Sequence, residues 1–280
     1  MYLKFLVASV LLASVQAFAF PMPRGLAPKQ LPRTFTQNYN FDGIVALDDC
    51  SGSIVRFETS LPTDQAMVLT NGHCYEGGMP EPGQVVSRQP SGRSFAILDE
   101  GAQQIGTLTA IQVIYSTMTK TDITLYKLQE SYDMIEKQLG RHALVLSSKH
   151  PELSAAMEVI SGYWQRGYTC KIESFVNQLN EDRWSFVDSI RYSQPGCETI
   201  GGTSGSPIVE VGTRNVIGIN NTGNDSGEQC TMNNPCEVDK DGKVTAQKGL
   251  SYGQQTYWIS TCVNSNREFD LTVPGCILPH

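Results

Sequence analysis

From Ile44 onward, short apolar runs recur along the chain, each closed off by Gly, Pro, Asn or Asp. Runs punctuated in this way point to β-strands, whereas an amphipathic helix would space its apolar positions at a period of about 3.6 residues. The pattern predicts strands at 44–47, 53–57, 66–70, 95–98, 105–115, 123–128, 143–146, 157–160, 207–209 and 216–219. One stretch, 131–139, predicts a short helix. No internal repeat of about 20–50 residues interrupts the pattern. Many short strands without regularly alternating helices predict an all-β chain, built as a sandwich or as barrels. The natural divide falls around residues 138–148, so a site drawing on both halves would lie in a cleft suited to a long extended substrate.

The ends and the charge balance narrow the setting. Lys4, the apolar residues 5–15 and the small-x-small triplet Ala17-Phe18-Ala19 read as an export signal over residues 1–19. That run is shorter than the roughly 20 apolar residues a membrane span needs. A secreted product, extracellular or periplasmic and not associated with a membrane, is therefore expected. Residues 20–42, rich in Pro and basic residues, predict an N-terminal arm or a short pro-segment. The formal net charge is −7, and loss of Lys4 would make the exported chain more negative. An acidic chain without a Lys/Arg cluster is a poor nucleic-acid binder. Eight cysteines in an exported chain indicate disulfides, and none of them forms a Cys-x-x-Cys pair. No metal and no other cofactor is expected. Asp239-Lys240-Asp241-Gly242 lacks the later acidic ligand of a calcium loop and reads as a hairpin turn.

The chemistry centres on Gly202-Thr203-Ser204-Gly205-Ser206-Pro207, a serine flanked by small residues on a permissive turn. A serine hydroxyl is a poor nucleophile at neutral pH unless a base takes its proton and a third group orients that base. His73, in Leu69-Thr70-Asn71-Gly72-His73-Cys74, offers an imidazole with an ordinary pKa of about 6.5. Asp122, in Thr121-Asp122-Ile123-Thr124-Leu125, offers the acceptor that would fix its tautomer. The N–H groups of Gly202 and Ser204 are candidates for an oxyanion hole. The chain order His, Asp, Ser removes the α/β-hydrolase reading, which runs Ser, Asp, His and carries a glycine where Ser206 stands. Ser206 is the rival nucleophile, followed directly by Pro207. The remaining histidines, His142, His150 and His280, read as structural or surface groups.

Leu69-Thr70-x-x-His73-Cys74, Asp122-Ile123-x-Leu125 and Gly202-x-Ser204-Gly205-Ser206-Pro207 resemble the three signatures of chymotrypsin-fold serine endopeptidases. The nucleophile motif is most similar to the secreted bacterial, glutamyl-endopeptidase-like branch. Gly162-Tyr163-Trp164 and Cys197-Glu198-Thr199 are further similarities, and the resemblance spans about residues 43–260. It implies two six-stranded antiparallel β-barrels, 43–140 and 141–262, within a peptidase domain at 43–262 and followed by a tail at 263–280. The active site would sit in the cleft between the barrels, and proteins or peptides would be cleaved through an acyl-enzyme by a chain expected to be monomeric. The resemblance also implies disulfides Cys50–Cys74 and Cys170–Cys197. Cys230–Cys236 and Cys262–Cys276 are the simplest pairings of the remaining four.

In the same family the residue six before the nucleophile can floor the primary specificity pocket, which here is Glu198 and would favour Arg or Lys. The alternative places Glu198 at a rim. Asn220, Asn221, Thr222 and Gly223 would form the strand edge that pairs with substrate. Glutamyl-specific members carry a histidine in that strand, and this chain has none there. Trypsin-like zymogens switch through an Asp just before the nucleophile, and here that residue is Thr203. Activity is therefore expected not to need a new terminus at Ile44. Two other readings stay open, a protease-like binding protein on the same fold and an esterase or transferase using the same three residues.

Overall fold

Strands form where apolar side chains can face a common interior while their neighbours meet solvent or a second layer. The computed structural model describes residues 39–280. The signal expected at 1–19 and nearly all of the arm expected at 20–42 lie outside the described residues.

The first half contributes β1 (Ile44–Ala46), β2 (Ser51–Arg56), β3 (Gln65–Thr70), β4 (Val85–Pro90), β5 (Ser94–Leu98), β6 (Gln104–Thr117) and β7 (Ile123–Ser131). The order β1-β5-β6-β7-β3-β2, closed by the β1–β2 pair, makes a six-stranded antiparallel barrel, with β4 added outside β6. Ile54, Val68, Phe95, Ile97, Leu108 and Tyr126 fill it, and the Phe95 and Tyr126 rings meet edge to face at 5.2 Å. Each such burial contributes about 1.5–3 kcal/mol. The helix α1 (Tyr132–Leu139) turns Tyr132 and Ile135 inward. It stops at Gly140, whose φ of +63° and N–H bond to the Glu136 carbonyl are an αL cap.

The second half contributes β8 (Leu144–Leu146), β9 (Ala156–Ser161), β10 (Arg166–Glu181), β11 (Trp184–Tyr192), β12 (Pro207–Glu210), β13 (Asn215–Gly223), β14 (Cys236–Val238), β15 (Val244–Thr245), β16 (Ser251–Gln255) and α2 (Tyr257–Ser260). The order β13-β12-β9-β10-β11-β16, closed by β13–β16, is a second six-stranded antiparallel barrel. Met157, Val159, Ile172, Ile190, Tyr192 and Ile208 fill this one. Strand β8 belongs to neither circuit. It runs parallel to β2, with Val55 opposite Leu144, and parallel to β13, with Asn215 opposite Val145. The fold is all-β, two closed barrels with the β8 strand spliced between them.

The four disulfides are Cys50–Cys74, Cys170–Cys197, Cys230–Cys236 and Cys262–Cys276. Asp239-Lys240-Asp241-Gly242 is the turn joining β14 to β15, where the Asp239 carboxylate accepts the Asp241 and Lys243 N–H groups at 2.9 Å each. The tail after Cys262 folds back onto the first barrel. There Tyr115 donates to the Pro279 carbonyl at 2.8 Å, Arg267 meets Asp64 at 3.3 Å, and Leu278 is buried.

All ten predicted strands and the helix are present, most of them longer than the apolar pattern alone indicates. Strands β4, β10, β11, β14, β15 and β16 were not predicted. In β10 a register shift between Ile172 and Ser174 breaks the alternation. In β16 every residue is buried, the polar Ser251, Gln254 and Gln255 included, so the strand shows no apolar alternation.

Candidate active site

The first barrel supplies two of the three candidate residues from adjoining loops. Asp122 sits at the mouth of β7 and is 1% exposed. One carboxylate oxygen, Oδ1, accepts the His73 backbone N–H at 3.0 Å, and the other accepts its Nδ1–H at 2.7 Å. Asn71 donates from its side chain to the Asp122 carbonyl at 2.9 Å, tying the two loops together. Gly72 makes the approach possible, because a Cβ there would lie 2.9 Å from Asp122 Oδ1 and closer still to the Thr117 carbonyl. Beside them the Cys50–Cys74 disulfide packs on the imidazole, each sulfur within 4.8 Å of a His73 ring nitrogen.

His73 is held above its ordinary pKa. Burial alone would lower it, but the Asp122 charge and hydrogen bond, joined by the charge of Glu181, outweigh that. With Nδ1–H committed to Asp122, the neutral ring has its lone pair on Nε2 and can take a proton there.

The second barrel presents Ser204 at the turn before β12. Ser204 is partly exposed and lines the same cleft pocket as His73 and Asp122. Its hydroxyl donates to the Asn221 carbonyl at 3.4 Å rather than to the imidazole. Ser206, the rival, is fully buried, and its hydroxyl has no hydrogen-bond partner among the described residues.

The nucleophile turn is tied on every side. The Ser51 N–H donates to the Ser204 carbonyl at 2.7 Å, and its hydroxyl donates to the Gly202 carbonyl at 3.3 Å. Gly205, with φ of +81°, nests against the Ser51 carbonyl so closely that a Cβ would clash. The Trp164 indole N–H donates to the Gly201 carbonyl at 2.7 Å. Among the described residues the N–H groups of Gly202 and Ser204 have no acceptor, so both can serve an anionic oxygen.

Thr203 is held without an ion pair. Its hydroxyl donates to the Ile200 carbonyl and accepts from the Asn220 amide at 3.1 Å, while Tyr192 donates to Asn220 Oδ1 at 3.0 Å. Ile44 lies within β1, its N–H bonded to the Phe41 carbonyl at 3.0 Å.

The expected substrate contacts divide. Strand β12 leaves β13 at Ile219, and β16 pairs only one edge of Thr222 and Gly223. The other edge has no strand partner among the described residues and is open to an extended peptide. Asn221, Thr222 and Gly223 line the cleft. Asn220 also reaches the lining, but it is 2% exposed and its amide is committed to Thr203 and Tyr192. Glu198 is exposed and outside the lining, whereas its neighbours Thr199, Ile200 and Gly201 are in it.

Residues that sequence reasoning did not single out complete the site. Glu181, at the end of β10, is 8% exposed and lines the cleft beside Trp184, Met118 and Asn233. Burial raises its carboxyl above the usual range, against the lowering effect of bonds from Thr222 and the Asn233 N–H and of the His73 charge. No local pattern marks Glu181, because it reaches the cleft only through the length of β10. The Asn71-Gly72 pair did adjoin a motif and could have been found there.

Several solved structures are similar to this chain at low sequence identity. The MamO protease domain from Magnetospirillum magneticum is 14% identical, over 80% of this chain and 97% of that one, with a TM-score of 0.48. A Nocardiopsis protease is 13% identical over 78% and 92%, with a TM-score of 0.45. Cellulomonas bogoriensis chymotrypsin is 14% identical over 78% and 91%, with a TM-score of 0.42. No curated protein sequence matches the chain. The family model for the trypsin-like peptidase domain matches residues 50–219, from the first disulfide cysteine to the strand that follows the nucleophile turn. On that match the chain belongs to the trypsin-like peptidases, and it is a protease acting on proteins or peptides.

Proposed function

We propose that this protease is an exported serine endopeptidase working through an acyl-enzyme. Ser204 attacks the scissile carbonyl, His73 takes its proton and later gives it to the leaving amine, and Asp122 holds the imidazole. The N–H groups of Gly202 and Ser204 receive the oxyanion. The observation that carries this reading is the doubly bonded His73–Asp122 pair in one pocket with the partly exposed Ser204. Export is supported by the four disulfides and by the apolar segment after Lys4. Among the described residues no helix is long and apolar enough to cross a membrane.

In this reading the primary pocket draws on Thr199, Ile200, Gly201, Asn221, Thr222 and Gly223, which line the cleft with Ser204. Because Glu198 lies outside that lining, an Arg or Lys preference through its carboxylate has no geometric support. The Tyr192–Asn220–Thr203 relay stands where a trypsin would use an ion pair, so activity should not depend on a free Ile44 amine. The test is covalent labelling of the mature protein by a fluorophosphonate. Labelling at Ser204, absent from Ser204→Ala, is expected, and an unlabelled, peptide-inert protein sinks the proposal.

Trp164 should act on the oxyanion hole from behind. A peptide unit is planar, so fixing the Gly201 carbonyl also fixes the direction of the Gly202 N–H. Trp164→Phe keeps an aromatic ring but loses that bond. We expect kcat to fall by about 10-fold with KM nearly unchanged, the pattern of an interaction made in the transition state. A rise in KM at constant kcat would assign Trp164 to substrate binding instead.

A further inference from the structure

The cleft holds a carboxylate that the proposed chemistry does not use. Glu181 is more than nine-tenths buried, yet among the described residues no Lys or Arg forms an ion pair with it. Its oxygens are served by the Asn233 N–H at 2.7 Å and by Thr222. Hydrogen bonds of this kind orient a carboxylate without neutralising it, and an uncompensated buried charge is costly. The surrounding lining also carries Asp122 and Asp225 and contains no Lys or Arg. Met79, Met118, Met232 and Trp184 add apolar surface to the same lining. A buried acid in an apolar, methionine-rich cleft suits a long aliphatic stem tipped by a cation.

The position of Glu181 ties it to the His73 end of the cleft. It acts electrostatically on His73 and Asp122, and Trp184, across the β10–β11 turn, donates to the Pro80 carbonyl of the first-barrel side at 2.9 Å. Thr199, Ile200 and Gly201, which lead into the nucleophile turn, line the same cleft. A peptide paired along that edge turns successive side chains to opposite faces. If the residue at the scissile bond faces the nucleophile turn, the second and fourth residues before the bond face His73 and Glu181.

We propose that Glu181 is a specificity-determining residue that binds a Lys or Arg side chain at the second or fourth position before the scissile bond. This rests on the serine-endopeptidase reading for the register of the peptide. Burial already strains the Glu181 charge, and an arriving guanidinium or ammonium would relieve that while completing a charge-assisted pair. The net charge of −7 adds a field that draws cationic peptides toward the cleft.

The test uses the mature protein and peptides carrying arginine, or its neutral isostere citrulline, at each of four positions before the cleaved bond. The peptides are read twice, as substrates of the wild type and as ligands of Ser204→Ala by fluorescence anisotropy. Wild type should favour arginine over citrulline by about 10- to 100-fold at the second or fourth position. Glu181→Gln should erase that preference while keeping the Thr222 and Asn233 contacts. It should also move the acid limb of kcat/KM to lower pH, because the Glu181 charge helps to raise His73. A thermal unfolding midpoint and circular dichroism spectrum of Glu181→Gln close to those of the wild type check that the variant is folded. Asp225→Asn, on the exposed rim, should leave most of the preference in place. A preference confined to the residue at the bond, or one that survives Glu181→Gln, overturns the proposal. Failure of fluorophosphonate labelling with retained, Glu181-dependent binding of arginine peptides would remove the catalytic reading and keep the recognition site.

Discussion

Ser204→Ala is expected to lower kcat toward a cleaved peptide by about 10^6, and His73→Ala should cost nearly as much. The double variant should be scarcely slower than either single one. Nucleophile and base perform one proton-coupled attack, so once either is lost the other has nothing to act on. The residual rate comes from binding and from the oxyanion donors, which neither substitution touches. Thermal unfolding and peptide binding by Ser204→Ala should stay close to wild type, since the hydroxyl makes only the long bond to Asn221. Costs that multiply in the double variant would mean two independent roles. Substantial activity left in Ser204→Ala would mean another nucleophile, and Ser206, sealed in the interior, could serve only after the turn is rebuilt.

The second large effect is expected at Asp122. Both of its oxygens accept, one from the His73 backbone and one from the ring. Asparagine offers a single acceptor. If its amide nitrogen faces Nδ1, the ring must accept there and place its proton on Nε2, where no lone pair remains for the serine. If the amide is reversed, its N–H₂ opposes the His73 N–H. Asp122→Asn should therefore lower kcat by about 10^4 with little change in KM.

The pH profile gives an independent check. Burial tends to lower His73, and the Asp122 charge more than offsets it, so the wild-type acid limb of kcat/KM should inflect above 6.5. Activity is lost as pH falls through that value, because the protonated ring cannot act as base. Without the Asp122 charge the inflection should move to lower pH. An unchanged inflection, or a loss of less than about tenfold, would show that Asp122 does not govern the imidazole.

Much of the candidate site was legible because its residues stand in short local motifs. His73, Asp122 and Ser204 each stand beside small or apolar neighbours that serve the turn geometry, as Gly72 and Gly205 show by the close approaches they permit. The strands read from apolar runs are those whose interior faces are apolar. What stayed hidden lies where the interior is polar or the alternation is broken, as in β16 with its buried glutamines and β10 with its shifted register. Glu181 was invisible for the same reason: its place in the cleft depends on the pairing of β10 with β9, β11 and β14, not on any neighbour in sequence. Likewise, Thr203 before Ser204 could be read directly, but its tie to Asn220 and Tyr192 could not.

Strand β8 has a consequence for survival as well as for shape. A protease shares its solution with copies of itself, so any half-melted form is food for the intact ones. Here the linker's backbone is laddered to both barrels at once, and Leu144 and Leu146 are buried between them. Melting either barrel alone would strip one side of that ladder and open the segment most suited to being cut. The splice therefore couples the two barrels into one cooperative unit and keeps the population of self-digestible intermediates low.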